Sequence, residues 1–475
     1  MAASNCWRCL LRPSAAAPAP TLAVPVRLPT AGVAAAFTTS AQVQAVPQTK
    51  GTSRSEQAKR AHKMKLGKFK KKARPQQTGR PPLPGERKAW RKRIMLSNNN
   101  ALPVAGLQKL SGDNMTDQES VGRVFAVPDA VVDQLRSSEA FKITQTWGLF
   151  RSPHVLIRSE TVDLVKKMQA AAADKKTLKL VLNGERITGK SMLLLQAMAN
   201  AFLNEWIVVN IPEAQELTTA CTEYAPISDT EPVQWMQPNY ALRMINAIHK
   251  ANEPVLRKLK TVHAWDNLLT PVPQGASLAD LSGSAREADS AWAIFTALWT
   301  ELTVAGHGRP PLLFTLDGLA HIMKTSDYRN PAFELIHSHD LYIVRTFVDL
   351  LSGATPLPNG GAVLAATSRS NSPRSPSMEL ALAARAAERD GRAPPQREPY
   401  LKTYDGRVDE ALRGVEVLDV KGLSKTEARA LMEYWAASGL LRATVNEHTV
   451  SEKWVMGGNG VVGEIERAAL LNLRL

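Results

Sequence analysis

Residues 177–204, TLKLVLNGERITGKSMLLLQAMANAFLN, constrain the fold more than any other stretch. An apolar strand pattern runs into Gly184-Glu185-Arg186-Ile187-Thr188-Gly189-Lys190-Ser191, and a helix pattern follows at Met192. This is the G-x-x-x-x-G-K-[ST] spacing of a phosphate-binding loop, whose backbone N–H groups curl around phosphate oxygens at a helix N-terminus. Lys190 is placed to reach the β- and γ-phosphates, and the Ser191 hydroxyl to join Mg²⁺. The competing reading, a glycine turn with a solvated lysine, does not explain the flanks. Leu178, Leu180, Val181 and Leu182 read as a buried parallel strand, and Leu193, Leu194, Leu195, Met198 and Phe202 as an apolar helix. The stretch predicts a nucleotide site.

Charge divides the chain. The net charge of the 475 residues is +15, and residues 50–93 alone hold 17 lysines and arginines against Glu56 and Glu86. The remainder from Ile94 onward is nearly neutral. Residues 1–45 are rich in Ala, Pro, Ser, Thr and Arg, contain no acidic residue, and are broken by Pro18, Pro20, Pro25 and Pro29. That composition reads as a mitochondrial transit peptide and places the mature chain in the matrix. Residues 46–100 read as a disordered basic arm without an apolar period. Lys68, Lys70, Lys71, Lys72, Arg74, Arg91, Lys92 and Arg93 are its candidate RNA contacts, with Phe69 and Trp90 available to stack on bases. Cys6-Trp-Arg-Cys9 has no second pair behind it and predicts no zinc site. No apolar run approaches the ~18 residues that span a bilayer.

The rest reads as alternating strands and helices. Residues 101–170 form a connector packed on the core, in which Trp147 to Arg151 sits where a base would be flanked, although core packing is the default for Trp147 and Phe150. Trp206–Pro212 is a second strand, and Tyr240–Lys260 and Asp280–Thr303 are helices. Leu312–Asp317 is a short apolar strand ending in the carboxylate that a Walker B element supplies to the metal's water shell. The following residue is Gly318, where hydrolysing members often hold the glutamate that polarises water; Glu185 and Asp340 are weak substitutes. Turnover is expected to be slow or absent. His337-Ser-His339-Asp340 reads as a polar helix start rather than a metal cluster. Gly361–Ser368 is a further strand, ending in Thr367 and Ser368 as candidate γ-phosphate sensors. Residues 370–411 break the pattern and read as an inserted surface excursion offering Arg374, Arg385, Arg392 and Arg397 to a partner. Val415–Val420 restores a strand, and Ser424-Lys-Thr-Glu427 is a capping box opening a helical lid over 423–475.

Strands near 178, 207, 313, 364 and 416 thus alternate with helices across a core of 171–422. The predicted fold is an α/β P-loop NTPase domain of AAA+ or STAND type, its parallel sheet flanked by helices and followed by the lid. NGERITGKSMLL, LLFTLDGLAHIM, GAVLAATSRSNSP, GVEVLDVKGLSKTEARALMEYWAASG and GGNGVVGEIERAAL resemble the fungal branch of the death-associated protein 3 family, over roughly residues 105–475. The resemblance implies a GTP-binding structural component in the head of the mitochondrial small ribosomal subunit, touching small-subunit rRNA and neighbouring ribosomal proteins and not forming a homo-oligomer there. Gly184, Gly189, Lys190, Ser191 and Asp317 match the family's nucleotide motifs. With the loop residues between them, Met192 and Thr367, they make the candidate site for GTP or GDP, with Ser191 and Asp317 toward Mg²⁺. The N-K-x-D signature of Ras-like GTPases is absent, so GTP rests on the resemblance and ATP stays open. The alternative is a working NTPase that serves as an assembly or switch factor.

Overall fold

The computed structural model describes residues 94–227, 230–370, 372–400 and 404–471. The leader, Cys6 and Cys9, Phe69, Trp90 and all eight candidate RNA contacts, Lys68 to Arg93, lie outside the described residues.

Described residues open with a two-stranded antiparallel pair, β1 (Val124–Ala126) and β2 (His154–Leu156), separated by helix α1 (Asp129–Ser137). Helix α2 (Ser159–Ala173) leads into β3 (Thr177–Asn183), the phosphate loop and α3 (Lys190–Leu203). Then follow β4 (Ile207–Ile211), α4 (Pro238–Leu256), α5 (Leu278–Gly283), α6 (Ala288–Leu302) and β5 (Leu312–Asp317). A hairpin, β6 (Thr325–Arg329) and β7 (Leu335–His337), precedes α7 (Tyr342–Ser352), β8 (Gly361–Ala366), α8 (Pro376–Arg389), α9 (Gly406–Leu412) and β9 (Glu416–Asp419). Helices α10 (Lys425–Ala437), α11 (Glu447–Met456) and α12 (Val462–Glu466) complete the order.

Five strands pair in parallel in the order β9-β3-β8-β5-β4. All residues of β5 and β8 are buried, as continuous apolar runs in a sheet covered on both faces must be. Successive side chains go to opposite cores. Phe314, Leu316, Val363 and Val209 meet α4, α6 and α7, whereas Leu313, Leu364, Leu180 and Val208 meet the α1, α2 and α3 side. Burying one such side chain is worth about 1.5–3 kcal/mol. The five strands foreseen in the sequence are these five.

Register sets the site. Leu182 of β3 pairs with Ala366 of β8, and Ala366 pairs with Asp317 of β5. The phosphate loop, Asp317 and Thr367 therefore leave the sheet at one level of its carboxyl edge, the place where open α/β sheets bind ligands.

Three segments differ in detail from expectation, the first being Asp280–Thr303, where one expected helix is two, α5 and α6, interrupted at 284–287. Residues 370–411 are a surface excursion only in part: 391–400 are exposed throughout, but the helices on either side are not. Met378, Ala381 and Leu382 of α8 and Val408, Ala411 and Leu412 of α9 are buried in the larger core. Their i, i+3, i+4 spacing is diluted by alanines and arginines, which hid the apolar face. Arg385 pairs with Glu388 at 2.9 Å, Arg392 pairs with Asp390, and Arg397 lies 3.9 Å from the Tyr404 ring centroid; Arg374 is exposed. At 337–340 a 3₁₀ turn leads into α7, and His337 Nε2 lies 2.8 Å from Asp405. Burial pushes His339 down to about 3, so it is a neutral core residue. Among the described residues no group of three acidic, His or Cys side chains could hold a metal, and no helix is long and apolar enough to cross a membrane.

The helices after β9 bury a core of their own. Leu431, Met432, Tyr434 and Trp435 of α10, Val450 of α11 and Ile465 of α12 pack with Phe150 and Leu156 from the segment before α2. Helix α10 opens on the expected capping box: Ser424 Oγ accepts from the Glu427 N–H at 3.2 Å and Glu427 accepts from the Ser424 N–H at 2.8 Å.

Candidate functional site

The phosphate loop forms because its backbone needs what its residues allow. Gly184 has φ 151°, and a Cβ there would stand 2.6 Å from the Val420 carbonyl oxygen. The loop closes against the strand end after β9, and only glycine fits. Arg158, buried at 8 % exposure, clamps the other side. Its guanidinium donates to the Thr188 carbonyl at 3.0 Å, to the Lys421 carbonyl at 2.7 Å and to Glu160 at 2.9 Å. Thr188 Oγ1 donates to the Glu185 carbonyl at 3.1 Å, which closes the turn from within.

Lys190 lies inside the loop and donates to the Gly184 carbonyl at 2.9 Å and to the Glu185 carbonyl. Burial, with the Arg369 guanidinium nearby, brings its ammonium down to about 8 against the pull of Asp317 and Glu185. Ser191 Oγ donates to Asp317 Oδ2 at 2.6 Å, so the two side chains expected around Mg²⁺ touch one another. The same carboxylate oxygen pairs with the Lys142 ammonium. Thr367 Oγ1 donates to the Leu182 carbonyl at 3.2 Å, with Ser368 and Arg369 following it around the rim.

Above these groups lies a cavity of about 460 Å³, ordinary for a small-molecule site. Arg186, Ile187, Gly189, Lys190, Ser191, Met192, Asp317, Thr367 and Ser368 line it; Gly184, Glu185 and Thr188 shape the loop from behind. Its roof is built from two distant segments, Lys142–Arg158 and Val462–Arg467. The Gly463 N–H donates to the Ile187 carbonyl at 3.2 Å, and Thr146 Oγ1 donates to Glu466. Burial raises the Glu466 carboxyl, only partly offset by Thr146 and Arg467. Trp147, Phe150, His154, Leu156, Leu431 and Trp435 give one wall an apolar surface. Burial lowers His154 to about 4, so this wall is uncharged at neutral pH.

Neither carboxylate offered as a substitute for the glutamate absent at Gly318 lines the cavity. Gly318 has φ 92° and caps the 3₁₀ turn Leu319–His321, a left-handed position that penalises any side chain. Asp340 pairs with Arg407 at 3.2 Å and does not line the cavity. Glu185 is exposed, with its backbone rather than its carboxylate turned to Lys190. Sequence reasoning missed Lys142, Arg158, Arg369 and Glu466. Only Arg369, beside Thr367 and Ser368, had a neighbour to announce it.

The family described as mitochondrial ribosomal death-associated protein 3 has a model that matches residues 155–468. The small ribosomal subunit protein mS29 of Neurospora crassa is 56 % identical over 476 residues, covering 100 % of both chains. The protein of the same name from Schizosaccharomyces pombe is 24 % identical over 347 residues, 72 % of this chain and 70 % of that one. The matched span takes in the loop, Asp317, Thr367 and the C-terminal part of the roof, and the full-length likeness covers the rest, so the chain belongs to the mitochondrial ribosomal death-associated protein 3 family.

Proposed function

We propose that this chain is a resident structural component of the mitochondrial small ribosomal subunit, holding a guanine nucleotide with Mg²⁺ in the cavity above the phosphate loop. Family membership and the full-length likeness to a small-subunit protein support the ribosomal part. One observation supports the nucleotide: register brings Lys190, Ser191, Asp317 and Thr367 to one sheet edge under a 460 Å³ cavity. The fold then serves as a P-loop domain of AAA+ or STAND type with a helical roof.

The residues fit the group. Lys190, partly stripped of water and resting on carbonyls, gains a strong partner in phosphate oxygens. Ser191 and Asp317 would hold the metal, the carboxylate through water, and the metal would neutralise phosphate charge. The loop, the connector and the C-terminal helices all line the cavity, so one ligand ties three parts of the chain together. A ligand at a thousandfold excess over its dissociation constant adds about 4 kcal/mol to the folded state. With Gly318 in place of a general base, this role needs no turnover. The basic arm adds rRNA contact by charge and shape.

The test is sucrose-gradient fractionation of solubilised mitochondria at moderately high salt, following the chain by immunoblot. Stoichiometric co-sedimentation with the small subunit is expected, and chromatography of the nucleotide extracted from that fraction names the base. Release to the top of the gradient, or presence on immature particles alone, overturns residence in favour of a cycling NTPase factor.

A further inference from the structure

Lys142 has no place in the phosphate-loop pattern, yet its ammonium sits on Asp317 Oδ2, the oxygen that also accepts from Ser191 Oγ. It is not a wandering surface lysine. Its backbone N–H donates to Gln145 Oε1 at 2.9 Å, and that oxygen also accepts from the buried Trp147 indole at 2.6 Å. Phe141, itself buried, meets the Trp147 ring edge-on at 5.2 Å. Among the described residues that line the cavity, no other cation bonds to Asp317, and Arg186 and Arg369 are exposed at its rim. Lys190 is turned to loop carbonyls, Arg158 is spent on Thr188, Lys421 and Glu160, and Arg467 pairs with Glu464 at 2.8 Å.

We infer that Lys142 is a resident cation at the metal position, which a divalent ion has to displace before Ser191 and Asp317 can hold it. The inference rests on the nucleotide reading given above. The chemistry is competition for one carboxylate. An ammonium in contact with Asp317 and a divalent ion in the same place repel strongly, because little water separates them. Ser191 donates its proton to that carboxylate and keeps its oxygen lone pairs for the metal, so the contest is for the Asp317 oxygen alone. Lys142 thereby sets how much metal the site requires. Because Lys142 belongs to the roof segment, its release also links metal loading to residues 142–147.

The experiment uses the full chain, a fluorescent GDP analogue and MgCl₂. Binding of the analogue is measured first in EDTA and then across a Mg²⁺ titration, for the native chain, Lys142→Met, Lys142→Gln and Lys142→Arg, with melting temperatures as a folding check. The half-saturating Mg²⁺ concentration should fall about tenfold in the Met and Gln variants and stay within about twofold in the Arg variant. A Mg²⁺ dependence unchanged in both neutral variants overturns the inference while the nucleotide reading stands, and so does a higher Mg²⁺ requirement. If the native chain binds neither the GDP nor the corresponding ATP analogue at any Mg²⁺ concentration, the nucleotide reading falls and the inference with it. Should Lys142→Met fail to fold, Lys142→Gln, which can still hydrogen-bond Asp317, carries the same test.

Discussion

The floor and the roof of the cavity are built in opposite ways. The floor is one continuous stretch, β3, the loop and the start of α3, with Asp317 and Thr367 delivered by parallel pairing. The roof joins residues 142–158 to residues 462–467, held by Thr146 on Glu466 and by Gly463 on Ile187. The floor is polar and set by one local loop plus strand register; the roof is assembled by tertiary packing around aromatic side chains. Each nevertheless carries a charged group whose ionisation its surroundings oppose, Lys190 below and Glu466 above. Groups held that way weaken the ligand-free fold, so substitutions at the two positions read the two regions separately. The two regions should therefore separate under mutation, the floor governing affinity and the roof governing closure.

Lys190→Ala gives the largest effect. Removing a charge-assisted contact to phosphate should weaken nucleotide binding about 100-fold, or roughly 2.7 kcal/mol. The nucleotide-free chain should melt no lower than the native one, since the lost ammonium was poorly solvated. A large drop in its melting temperature would make Lys190 a structural residue and erase the distinction between floor and roof. Next comes Gly184→Ala, whose Cβ would strike the Val420 carbonyl from a left-handed φ. Strain and overpacking together should cost about 2 kcal/mol, seen as a lower urea midpoint at constant slope. An unchanged midpoint would mean that the loop is not pinned to β9.

How much of this was legible follows the same division. The five strands could be read because buried parallel strands are unbroken apolar runs, and Leu312–Asp317 was placed to the residue. The capping box at Ser424 was legible because its chemistry spans four neighbouring residues. Strand order was not, since nothing in β8 announces that it lies between the loop strand and the Asp317 strand. Lys142 and Asp317 are 175 positions apart, and no spacing rule joins them. The buried helices within 370–411 were missed for a related reason. They bury small side chains such as Ala381 and Ala411, which carry little hydrophobic signal of their own.

The pH dependence sharpens the floor. Lys190 has a folded value of about 8 against an ordinary 10.5, so the unfolded chain binds more protons between those values. Stability of the nucleotide-free chain from this group should rise with pH across that window. Phosphate reverses the sign, because it draws the ammonium back toward its ordinary value. Nucleotide affinity should thus fall by up to tenfold per pH unit above about 8, with proton uptake on binding. Calorimetry at pH 8.5 in buffers of different ionisation enthalpy reads that uptake directly, and Lys190→Ala should abolish it. Equal heats in all buffers would show that Lys190 is already fully charged.

The smallest effect tests the roof. Burial raises the Glu466 carboxyl, so the folded chain binds more protons than the unfolded one just above the ordinary carboxyl range. Its contribution to stability is present at low pH and is lost as pH rises through the raised value. Glu466→Gln keeps the shape and the acceptor for Thr146 while removing a charge from a partly dry place. At pH 8 the variant's ligand-free chain should therefore be at least as stable as the native chain, by up to about 1 kcal/mol. At pH 5 the gain should shrink, because the native carboxyl is then nearer its protonated form. Nucleotide affinity should change far less than in Lys190→Ala. If Glu466→Gln instead weakens binding of the guanine analogue while sparing the adenine one, the carboxylate is reading base N–H groups. The roof would then be a recognition surface rather than a closure, and the division between the two regions would have to be redrawn around the base.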